Sequence, residues 1–126
     1  MTVTPHRDVE FIDLPGRSAG DPLRAVPAAS SLRITRLQRV AERKAHRHPH
    51  SEEVIYVRSG TGAVYIDGEF HEVGPGDTVH VPPGLAHATI PAPGADMELV
   101  CFFPHADLRE NIEETDTDVM KEFEHE

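Results

Sequence analysis

A single cysteine, Cys101, rules out an internal disulfide and any thiolate metal cluster built by one chain. Tryptophan is absent and aromatic residues make up only 6 % of the 126 positions, so the core has to be aliphatic. Long hydrophobic runs are missing as well. The longest, Leu99 to Phe103, falls far short of the ~20 residues that span a bilayer as a helix. Met1 to Asp13 carries charges where a secretion signal needs its apolar stretch. These absences predict a cytoplasmic chain with no membrane partner, of a length that fits one domain.

Basic residues are also scarce, 12 against 22 acidic ones, for a formal net charge of −10. That balance argues against nucleic acid as a partner, because nonspecific affinity comes from neutralising phosphates. The two signs are unevenly spread. Residues 14–47 hold eight basic side chains against two acids, and residues 107–126 hold nine acids against two bases. The period-2 spacing of Arg33, Thr35 and Arg39 reads as a solvated strand face. The two oppositely charged blocks can attract each other within a chain or across a dimer.

What the sequence does have is punctuation. Residues 1–31 contain four prolines and read as an irregular N-terminal arm, with room for one short strand at Val9 to Asp13. From Leu32 the pattern turns to short alternating apolar runs. Leu32, Ile34, Leu37 and Val40 mark a long strand or strand pair. Val54–Val57, Ala63–Ile66, Phe70–Val73, Thr78–Val81, Ala88–Ile90 and Met97–Phe103 follow. Asp67-Gly68 between two such runs is the dipeptide of a tight hairpin. Many short strands with close turns predict an all-β antiparallel sandwich or barrel over 32–105. Residues 106–126 are expected to form a short acidic tail or helix.

Nine histidines are many for this length, and three of them stand at His46, His48 and His50, just before Glu52 and Glu53. Residues i and i+2 of a strand project from one face, so His46 and His48 can aim at a common point. A turn through His50 and Ser51 can return Glu53 to face them, and His87 supplies a third imidazole beyond Pro82-Pro83-Gly84. Imidazole with carboxylate suits a divalent transition ion such as Fe, Mn, Ni, Cu or Zn. Alone, such a histidine cluster is more often an exposed polar loop. The wider spacing argues otherwise: His46-x-His48, four residues, Glu53, six residues, Gly60, and then Gly76, five residues, Pro82-x-Gly84, two residues, His87.

This pattern resembles the two motifs of the cupin superfamily. Two positions depart from it: Val40 stands where the first motif opens with glycine, and Pro91 stands where the second closes with asparagine. The resemblance implies a double-stranded β-helix, or jelly-roll, barrel. It also implies His46, His48, Glu53 and His87 as ligands of one divalent ion per chain, and a homodimer. As activity it implies a metal-dependent enzyme acting on a small oxygen-rich metabolite, with dioxygenase chemistry first and isomerase, decarboxylase or lyase chemistry as alternatives. A non-enzymatic module holding a metal-chelated ligand is the contrasting class.

The remaining candidates have blander readings. His50 is expected beside the site or exposed, and His80 should face away from the barrel between Val79 and Val81. His6, His71, His105 and His125 read as solvated. Cys101 reads as a small buried hydrophobe. Arg47 and Arg58 flank the site region, where they can meet an anionic substrate or form surface ion pairs.

Overall fold

A computed structural model describes residues 1–124; His125 lies outside the described residues. Eleven strands form two antiparallel sheets. The first five are β1 (Phe11–Leu14), β2 (Arg17–Gly20), β3 (Ser31–Leu37), β4 (Lys44–Arg47) and β5 (Glu53–Ser59). The next five are β6 (Gly62–Ile66), β7 (Glu69–Val73), β8 (Thr78–Val81), β9 (His87–Pro91) and β10 (Met97–Phe103). The last is β11 (Glu113–Asp118), which runs into helix α1 (Val119–Glu124). One sheet has the order β1-β2-β3-β10-β5-β8 and the other β11-β4-β9-β6-β7. No helix among the described residues is long and apolar enough to cross a membrane.

Alternation sets the inside. On β5, Glu53, Ile55 and Val57 are buried while Tyr56 and Arg58 are exposed, and on β10 Met97, Leu99, Cys101 and Phe103 are buried. Leu37, Ile55, Val57, Val81, Leu99 and Phe103 form the larger apolar cluster, which is aliphatic apart from its one phenylalanine. The β6–β7 hairpin turns at Asp67 and Gly68, whose φ values of 46° and 91° are both positive. That is the geometry for which an Asp-Gly pair is suited.

Three readings need correction. The arm is not simply irregular: β1 and β2 pair as a hairpin, and β2 extends the sheet through β3. Pro15-Gly16 is its two-residue turn, with Gly16 at φ 73°, so residues counted as breakers are the connection itself. The acidic segment is neither a bare tail nor wholly helical. Its β11 pairs with β4, and Arg47 Nε meets Glu113 Oε2 at 3.3 Å, so the opposite charge blocks meet within one chain. Finally, β3 ends at Leu37, so Val40 lies beyond it.

Candidate metal centre

The four residues singled out by spacing converge. His46 on β4 and His87 on β9 are direct cross-strand partners, with ring centroids 4.5 Å apart. His48 follows β4, its ring 5.1 Å from His46 and 5.2 Å from His87. Glu53 opens β5 and comes from the opposite sheet. One donor atom from each of the four lies within 4.8 Å of all the others. Ligands about 2.1 Å from a common ion stand up to about 4.2 Å apart, so the cluster has the span of a single coordination sphere.

Backbone carbonyls orient two of the rings. Nδ1–H of His48 donates to Asn111 O at 2.6 Å, and Nδ1–H of His87 donates to Leu85 O at 2.9 Å. A carbonyl can only accept, so each Nδ1 bears the proton and each Nε2 faces the cluster. His87 Nε2 reaches Glu53 Oε1 at 2.7 Å. His48 Nε2 stands 3.2 Å from the same oxygen but outside hydrogen-bond geometry, so it is buried without a partner. A buried nitrogen lone pair with no donor, facing two imidazoles and a carboxylate, fits a cation.

The electrostatics agree. Burial pushes the Glu53 carboxyl up, but the close approach and charge of His48 and His87 outweigh it and hold the group well below the usual carboxylate range. Burial lowers His87, and the bond to Glu53 more than reverses that, so its imidazole ends above its ordinary value. His46 is driven well below its ordinary value by desolvation and then by the charge of His87. It is held neutral, as a ligand must be.

Around the four lies a cavity of about 60 Å³, walled by Ile55, Leu99, Phe103 and Ile112. Cys101 also lines it, buried and inert: burial and the Glu53 carboxylate push its thiol well above the ordinary value. Arg17, Arg33, Thr35 and Arg43 line it too. The basic stretch read as a solvated face therefore sends Arg33 and Thr35 inward, because β3 turns that face into the barrel. Arg47 and Arg58 lie outside, exposed and paired with Glu113 and Glu98.

Of the other histidines, His80 is exposed and pairs with Glu52 at 3.0 Å, and His6 and His71 are exposed. His50 is exposed and stacks on the partly buried ring of His105. Asn111 was not singled out from sequence. It is fully buried: Oδ1 accepts from His50 N at 2.8 Å and Nδ2 donates to Ser51 Oγ at 2.8 Å, tying down the turn between His48 and Glu53. Its one legible signal was an amide amid a run of acids.

With a two-sheet barrel and this cluster established, the comparisons with known proteins fall into place. The family described as Cupin domain matches residues 34–103, more than half of the chain. The chain belongs to that family. An uncharacterized protein of Methanocaldococcus jannaschii is 34 % identical over 56 residues, which span 44 % of this chain and 45 % of that relative. Among solved structures, Pac13, described as a nucleoside dehydratase, superposes with a TM-score of 0.72 at 19 % identity, covering 91 % of both chains. The polyketide cyclase RemF from Streptomyces resistomycificus gives 0.74 at 21 % identity, covering 93 % of this chain and 87 % of its own. The oxalate decarboxylase of Lactobacillus farciminis gives 0.74 at 17 %, covering 86 % of this chain and 34 % of that one. Likeness at these identities is a likeness of fold.

Proposed function

We propose that the chain is a metal-dependent enzyme acting on a small oxygen-rich metabolite, with His46, His48, Glu53 and His87 holding one divalent transition ion. The observation that carries this is the partnerless, buried Nε2 of His48, 3.2 Å from Glu53 Oε1 but outside hydrogen-bond geometry, in a cluster with His46 and His87. A bound Fe, Mn, Ni, Cu or Zn ion supplies Lewis acidity, and the redox-active members also supply a route to O2 chemistry. Four protein donors would leave one or two positions open on an ion that takes five or six, as catalytic sites require. The chain's own residues do the rest. Asn111 and Leu85 carbonyls orient two rings, and Ile55, Leu99 and Phe103 keep bulk water away, which strengthens every charge interaction inside.

For reaction type we favour non-oxidative Lewis-acid chemistry of the lyase or isomerase kind over the dioxygenase reaction that the family resemblance suggested first. Similar structures described as a dehydratase, a cyclase and a decarboxylase support this order, as analogies of fold. The test is native mass spectrometry for metal, followed by turnover of a small-metabolite panel with and without O2. About one ion per chain and O2-independent turnover are expected. O2 consumption coupled to turnover restores the dioxygenase reading. Ligand binding without turnover makes the chain a binding module, and no metal under any loading sinks the proposal.

A homodimer and a cytoplasmic location belong to the same reading. The outer face of the six-stranded sheet carries Phe11, Ile34, Val100 and Tyr56 in one cross-strand row, with Leu32, Phe102 and Val54 in the next. Tyr56 is 47 % and Phe102 40 % exposed, an apolar surface suited to a second copy.

A further inference from the structure

Three arginines reach the wall of the cavity that holds the four ligand atoms, and only one of them is neutralised there. Arg33 is gripped by Asp21 through Nε–Oδ1 at 2.8 Å and Nη2–Oδ2 at 3.2 Å. Among the described residues, no carboxylate lies within ion-pair distance of the Arg17 or Arg43 side chain, although the exposed Glu114 acts on Arg17 at longer range. Arg43 is only 9 % exposed. Its Nη2 donates to Gly16 O at 3.2 Å and Gln38 O at 2.8 Å, while its Nε–H is buried with no acceptor. Among the described residues, Glu53 is the sole acid lining the cavity, against Arg17, Arg33, Arg43 and Lys44. Burial, with the Arg17 charge beside it, pushes Arg43 down to about 10, so it still carries its charge at neutral pH.

A buried cation without a counter-ion, as Arg43 is, is costly, and a donor held ready with no acceptor is an incomplete site. We propose that Arg17 and Arg43 form a carboxylate-binding subsite beside the His46–His48–Glu53–His87 cluster, and that the substrate is a small ionised carboxylic acid. The inference rests on the reading of that cluster as a metal centre and names its substrate class. A guanidinium matches the planar two-oxygen edge of a carboxylate. A cavity of about 60 Å³ favours a compact acid. A divalent ion in the cluster adds positive charge to a cavity already in excess of it, so an anionic substrate restores the balance.

The test is calorimetric titration of the zinc-loaded protein with malonate, its neutral analogue malonamide, and inorganic phosphate, with zinc content measured on the same samples. Malonate should bind at least about tenfold more tightly than either, the equivalent of one charge-assisted contact. Arg17→Gln should weaken malonate by a similar factor with zinc content unchanged, and Arg17→Lys should recover part of the loss. If Arg17→Gln does not fold, Arg17→Lys alone decides, by weakening malonate with zinc retained. Malonamide binding as well as malonate, phosphate binding more tightly, or Arg17 variants with undiminished affinity would each overturn the subsite. Arg17-dependent malonate binding by protein that takes up no zinc would uphold it and remove the metal reading instead.

Discussion

Nδ1–H of His48 donates to the backbone carbonyl of Asn111 across 63 positions of chain, at 2.6 Å. One segment from the acidic C-terminal stretch thereby fixes which nitrogen of a cluster histidine faces inward. The side chain of the same asparagine holds the turn that returns the chain to Glu53.

Asn111→Ala removes both side-chain bonds, empties a fully buried position, and leaves His50 N–H without its acceptor and the buried Ser51 Oγ with only its bond to Glu52 O. A loss of about 2–3 kcal/mol is expected, measured by urea denaturation. Metal affinity should fall along with stability. A variant as stable as the parent would show that the clamp carries no weight.

His48→Ala leaves three donors. Metal affinity should drop by more than the about 10–100-fold that removal of an outer-shell partner costs, with the far-ultraviolet circular dichroism unchanged. His80→Ala, at an exposed pair with Glu52, should change neither. Full occupancy in His48→Ala would contradict the ligand assignment.

Metal retention should weaken in acid, and the sign follows from the ring on β9. Its contact with Glu53 raises His87 above the ordinary 6.5, so in the metal-free chain it keeps a proton to higher pH. That proton has to leave before Nε2 can coordinate, whereas His46 is lowered and already neutral. Occupancy should therefore rise with pH, each ion expelling a proton on binding. A flat profile between about pH 5 and 8 would count against the set.

Tyr56→Asp combined with Phe102→Asp places two charges on the outward apolar face. Sedimentation should give a dimer for the parent and a monomer for the double variant. A monomeric parent would retire the homodimer.

Cys101 should resist thiol reagents in the folded protein and react only after denaturation, because it is buried and its thiol is held protonated. Rapid labelling under native conditions would show that the barrel opens readily.

Much of this was legible in the chain. Period-2 alternation gives β8 and β10 at their observed bounds, and the His-x-His, Glu and later His spacing marks the four residues that meet. It failed where polarity was equated with exposure. Arg33 and Thr35 alternate as an outer strand face would, but the same period serves a polar interior, and nothing local says which side the second sheet covers. Pro15-Gly16 reads as part of an irregular arm although it is a turn, because a two-residue connection is recognised only if both flanks are taken for strands. Asn111 was invisible for a different reason: its partners lie some 60 positions away.

The N-terminal hairpin has a consequence for how this molecule changes over time. Three of the four clustered donors stand on or beside β4 and β9 of one sheet, whereas Arg17 rides on β2, which attaches through β3 of the other. On the proposed reading, the Arg17 half of the subsite is thus encoded apart from the ligand-bearing strands, whereas Arg43 directly precedes β4. A graft or drift confined to residues 11–20 would then alter the Arg17 wall of the cavity while leaving the four clustered donors in place.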